Sequence, residues 1–210
     1  MSVSIILLGG NTLMNRRTID LLLSWTGLVV AIVLLVAGGL LLYGSSFVKD
    51  QVHDQLAAQK IFFPPATSAA VKGPQFAAMR QYGGQQLLTG PQAETYANHF
   101  IAVHLQEIGG GQTYAQLSAK ALANPKDTAL QDQVQTLFRG TTLRGLLLNA
   151  YAFWTVGAIA QTMGAVSLIG GIALGVLAAF GFARSRRADS RVSAPVGIDR
   201  ERHEAEQRAA

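Results

Sequence analysis

No cysteine occurs among the 210 residues. That excludes a disulfide framework, a thiolate nucleophile and any cysteine-ligated metal. Charge is scarce as well: Asp, Glu, Lys and Arg make up 14% of the chain, where soluble domains carry about a quarter. The composition therefore points to a membrane protein. The signatures of catalysis are missing too. No G-x-S-x-G elbow supports a nucleophilic triad, no paired acids stand at a spacing that singles them out for acid–base work, and no glycine-rich loop runs into Gly-Lys-Ser/Thr. The expectation is a non-enzymatic protein without cofactor or metal. Its net charge of +5 is placed in a way that fits membrane orientation better than nucleic-acid binding.

Charge is absent altogether from two long stretches. The first, Leu21 to Tyr43, has 23 residues and as a helix would reach ~34 Å, enough for a ~30 Å hydrocarbon core. Trp25 and Tyr43 stand near its two ends, as interfacial aromatic rings do. It is far longer than a signal-peptide core and no A-x-A site follows, so an uncleaved anchor is expected. The second runs from Gly145 to Ala183. Leu146 to Phe182 would be ~55 Å of helix, too long for one straight crossing. Asn149, Tyr151 and Trp154 mark the interface, so the helix should begin outside the membrane and run straight in. Arg16 and Arg17 precede the first stretch, and Arg184, Arg186, Arg187 and Arg191 follow the second. By the positive-inside rule both termini are cytoplasmic and residues from 44 to about 145 are extracytoplasmic.

The resulting layout is mainly α: a cytoplasmic segment 1–18, a transmembrane helix 19–43, a helical extracytoplasmic domain 44–153, a second transmembrane helix 154–182 and a disordered cytoplasmic tail 183–210. The tail, with seven arginines and five acids from Arg184 onward, is too polar to build a core. The eight apolar-leaning residues before Gly9 are too short to cross, and a start at Met14 would give a compact cytoplasmic beginning.

The outer segment reads as helical. Val48, Val52 and Leu56 share one face of an outward extension of the first span, which Pro64 and Pro65 should end. Gly90-Pro91 opens a long helix with proline in its first turn. Thr113 with Gln116, and Thr128 with Gln131, have capping-box spacing. Leu130, Val134, Leu137 and Phe138 then form an amphipathic stripe.

The stretch NHFIAVHLQEIGGG, residues 98–111, looks chemically promising. On a helix from Pro91 to Ile108, however, His99 and His104 diverge by ~140°, whereas a helical metal pair needs i, i+3 or i, i+4. His104 shares an apolar stripe with Ala97, Ile101 and Ile108, which makes it the candidate pH-sensitive buried polar group. His99 falls on a polar face with Thr95 and Gln106. Gly109-Gly110-Gly111 reads as a helix stop, since glycine adopts left-handed dihedrals cheaply. His53, between Asp50 and Asp54, could pair with Asp50 on a hydrated face or help form a weak cation site.

The second span carries a pattern of small residues: Ser167, Gly171, Gly175, Ala179 and Ala183 recur every four residues, and Gly27-x-x-x-Ala31 offers a matching surface in the first. Such faces let helix backbones approach closely in lipid, within one chain or between chains. Gln161 and Thr162 lie within the expected span and could bond across helices or line a polar path.

Three segments, SFVKDQVHDQLAAQKIFFPP (46–65), GPQAETYANHFIAVHL (90–105) and TLFRGTTLRGLLLNAYAFWTVG (136–157), resemble a group of uncharacterised actinobacterial membrane proteins with two spans around an outer domain. The resemblance covers most of residues 20–182. It implies this topology and brings no activity. The function expected from the sequence is that of an integral membrane accessory or assembly protein of the cell envelope. Its partners would be the lipid bilayer and other membrane subunits or a second copy of itself. The alternatives are an extracytoplasmic sensor that signals to the tail and an oligomeric two-span channel.

Overall fold

The computed structural model describes residues 16–192. The proposed start at Met14 and residues 193–210 of the expected tail lie outside the described residues, while residues 183–192, expected to be disordered, continue the last helix. Five α-helices are present among them: α1 (Arg16–Gln59), α2 (Gly90–Tyr96), α3 (Ala102–Ile108), α4 (Tyr114–Ala123) and α5 (Thr128–Val192). A single wide π-turn, Ala97–Ile101, joins α2 to α3. Two 3₁₀ segments, Ala69–Val71 and Pro74–Tyr82, fill the connector after α1. The mainly helical expectation holds. Packing divides the described residues into two compact units, one holding residues 16–39 and 166–192, the other residues 40–165.

In the first unit, α1 and α5 run antiparallel with small residues facing each other. A Cβ added to Gly27 would meet the Ala178 Cβ at 3.7 Å, and one on Gly175 would meet the Ala31 Cβ at 3.9 Å. At Gly171 it would come within 2.9 Å of Leu35 Cγ and 3.1 Å of the Ala31 carbonyl oxygen. A side chain there would have to displace Leu35 and would crowd the Ala31 carbonyl. Along α1 in this unit the buried positions Ser24, Ala31 and Gly38 recur every seven residues, the period of a pair wound in a left-handed sense. The remaining surface of this unit is apolar and exposed. Leu23 is 66% exposed, Ile169 69% and Phe180 69%. Two helices, Thr18–Gln59 and Thr128–Arg184, are long and apolar enough to cross a membrane. Only 11% of the most apolar stretch of each is buried, whereas the core helix of a soluble fold is mostly buried.

The second unit has a conventional core. Val52 and Leu56 on α1 pack with Phe63, Val71, Phe76, Met79 and Leu87 from the connector, Ala93, Ala97 and Ile101 from α2 and the π-turn, and Leu147 from α5. The outward extension of α1 is therefore real, but it ends before the prolines. Lys60 takes the left-handed conformation, φ 53°, which terminates the helix one turn ahead of Pro64. Beyond it the chain is extended and pairs with residues 84–87, through Phe63 N–H to Gln85 O at 2.9 Å and Leu87 N–H to Ile61 O at 2.9 Å.

Capping follows the expected chemistry with one correction. Thr113 and Gln116 form the expected reciprocal box at the start of α4, and Thr89 with Gln92 forms a second at the start of α2. Thr128 and Gln131 do not form one. Asp127 accepts from the Leu130 N–H at 3.0 Å, a carboxylate being the better N-terminal acceptor, and Gln131 instead donates to Ala121 O. The glycine run stops α3 as expected. Gly110 and Gly111 have φ of 56° and 79°, and the Gly111 N–H reaches back to Gln106 O at 2.9 Å.

Candidate functional site

The sequence directs attention to the histidines of residues 98–111, but the structure makes more of Asn98. The π-turn widens the helix by one residue at this point, so the side chains after it leave the regular i, i+4 register. Asn98 donates to Glu94 Oε1 at 2.7 Å and accepts from the Arg144 Nη2 at 2.8 Å. That chain of contacts ties α2 to α5 across 46 residues of sequence. His104 packs instead at a tilt in an aromatic run, its ring centroid 4.4 Å from Phe100 and 5.7 Å from Phe76. Its Nδ1 lies 2.8 Å from the Phe100 carbonyl oxygen. A carbonyl only accepts, so Nδ1 is the donor of this bond. His99 sits in the wide turn, half-buried. The two histidines are not brought together, and among the described residues no three His, Asp or Glu side chains cluster. His53 meets Asp54 at 3.3 Å, not Asp50, and both are exposed.

Arg144 borders an open-mouthed cavity of about 400 Å³ between the end of α3, the start of α4 and the face of α5. Ala102 and Leu105 line one wall, Leu137 and Thr141 another, and Gln112, Thr113, Tyr114 and Ala115 the third. Two of the lining residues each carry a polar atom, Arg144 Nε and Gln112 Oε1, that is shielded from solvent and has no hydrogen-bond partner in the protein. No carboxylate lies within ion-pair distance of Arg144 among the described residues. Shielded polar groups of this kind are uncommon in folded proteins and each costs about 1–3 kcal/mol.

A second polar cluster sits where the long helices leave their most apolar stretches. The Lys49 ammonium bonds to Gln161 Oε1 and lies 5.5 Å from the centre of the Trp154 ring, within cation–π range. Ser45 donates to Gly157 O at 2.7 Å, also between α1 and α5. The expected cross-helix bond of Gln161 is therefore made, with Lys49 as its donor. Thr162 bonds within its own helix to Ala158 O.

Of the expected packing residues, Gly171 and Gly175 meet Ala31 within one chain, whereas Gly27 meets Ala178. Ser167 is half-buried, while Ala179 faces outward and Ala178, 4% exposed, takes the inward place. The seven-residue period accounts for the difference, because a strict spacing of four drifts off the contact face. No family model, curated protein or solved structure matches this chain.

Proposed function

We propose that this chain is an integral membrane protein of the cell envelope with two spans, both termini cytoplasmic, whose helical outer domain makes protein contacts as an accessory or assembly subunit. The observation that carries the membrane reading is the exposed apolar surface of the paired long helices, which water would not tolerate at this extent. The Lys49–Gln161–Trp154 cluster supports an outer interface at that level, since lysine beside tryptophan is the composition of a membrane–water boundary. Arg16, Arg17, Arg184 and Arg186 at the opposite ends support the orientation. The resemblance of residues 46–65, 90–105 and 136–157 to two-span actinobacterial membrane proteins points the same way.

An accessory role is favoured over catalysis because the outer domain gathers no nucleophile–base pair or paired acids. Mild-detergent purification from the native host, with mass spectrometry of the product, tests it. Stoichiometric foreign subunits are the expected result; a pure homo-oligomer or monomer would sink the accessory reading. The sensor reading has one observation of its own: Arg144 and Thr141, on the cavity wall, belong to the helix that continues through the second apolar stretch. A channel has none, since the small faces of the two helices are already in contact within one chain.

A further inference from the structure

We infer that the outer domain binds a small organic monocarboxylate in the cavity beside Arg144. The inference rests on the packing of residues 40–165 alone and does not depend on the accessory reading. Three features of the cavity select the ligand class. First, the guanidinium has five donors but makes one hydrogen bond, to Asn98, and has no carboxylate within ion-pair distance among the described residues. A half-buried cation in that condition is under-compensated. Second, the first turn of α4, Thr113 to Ala115, lines the same cavity. Thr113 Oγ1 takes the Gln116 N–H, leaving the earlier amides of that ten-residue helix as donors beside a positive dipole end. One full cation and a fractional positive charge match a monoanion better than a phosphate dianion. Third, Leu105, Leu137 and Ala102 supply an apolar wall, which calls for a carbon body on the acid.

The shielded atoms refine the choice and add to the driving force. Gln112 Oε1 is an acceptor without a donor, so a ligand bearing an N–H or O–H near its carboxylate would satisfy it. Arg144 Nε is a donor without an acceptor. A small rotation of either side chain toward the ligand relieves a cost that the unliganded arrangement carries. The ligand class is thus a carboxylate with a neighbouring donor and an apolar side group, the chemistry shared by N-acylated amino acids and the C-terminal residue of a peptide.

The test is calorimetric titration of the full chain, purified in a neutral detergent, with N-acetyl-L-leucine, N-acetyl-L-leucinamide and inorganic phosphate. Saturable binding of the acid, about tenfold to a hundredfold tighter than its amide, is expected from loss of a charge-assisted bond. The Arg144→Gln protein, which keeps a donor toward Asn98, should lose that preference. Ala115→Phe, at an exposed position on the cavity rim, should abolish binding of the acid while leaving the melting temperature close to that of the wild type. No saturation by the acid up to about 10 mM, equal binding of acid and amide, or tighter binding of phosphate would each overturn the proposal. The wild-type comparison decides even if Arg144→Gln fails to fold. To separate the two sources, a decapeptide ending in leucine is titrated alongside: binding as tight as the small acid points to a chain terminus, and weaker binding to a free small molecule.

Discussion

A Cβ added at Gly171 would lie 2.9 Å from Leu35 Cγ and 3.1 Å from the Ala31 carbonyl oxygen, so the neighbouring helix would have to shift. Gly171→Val should therefore destabilise the α1–α5 pair by about 1–3 kcal/mol, the range for overpacking a tight contact, seen as a lower melting temperature in detergent. Gly39→Val, where an added Cβ meets nothing within 4 Å, should change it by less than about 0.5 kcal/mol. Tyr96 carries a different lesson. Its ring packs edge-on to Phe63 at 5.3 Å and against Phe100 at 4.9 Å, and burial pushes its phenol above the ordinary value near 10. The folded state thus holds the phenolic proton more tightly than the unfolded chain. Its contribution is whole below the ordinary value and is lost as pH rises through the higher folded one. Melting curves between pH 8 and 11 should show an alkaline loss of stability in the outer domain that is smaller in Tyr96→Phe. Equal losses in the two proteins would remove Tyr96 as the cause.

At the scale of elements, the turn between α3 and α4 sets the cavity wall. Gly110 and Gly111 both hold left-handed dihedrals, so alanine at either should cost about 1–2 kcal/mol through strain that no contact repays. Thr113→Ala removes the acceptor of the Gln116 N–H and should cost about 1 kcal/mol. Urea denaturation of each variant measures both effects. This turn was legible in the sequence, because glycine runs and capping boxes are local signals. The π-turn was not. Nothing in ANHFI marks a wide turn by composition, and its consequence, Asn98 reaching Arg144, joins positions 46 residues apart. The expected Thr128–Gln131 box failed for a nearer reason: Asp127, one residue earlier, caps the helix, its carboxylate taking the Leu130 N–H and its backbone carbonyl the Gln131 N–H.

For the whole molecule, the absence of cysteine provides a direct test of orientation. Single cysteines at Gln55 and Ala183, both exposed, give two reporters in an otherwise unreactive chain. In intact cells a membrane-impermeant maleimide should label Gln55→Cys and leave Ala183→Cys unlabelled until the cells are opened. The reverse pattern would invert the proposed topology.

By itself the sequence determined the element types, the two membrane-length helices and the helix stops, because hydropathy, glycine dihedrals and capping chemistry act over a few residues. The tertiary structure decided which small residues meet, with Ala178 in place of Ala179. It also decided that the histidines stay apart and that Arg144 faces Asn98 with its Nε unpaired. Those outcomes depend on helix register and on contacts between distant parts of the chain, and local spacing fixes neither.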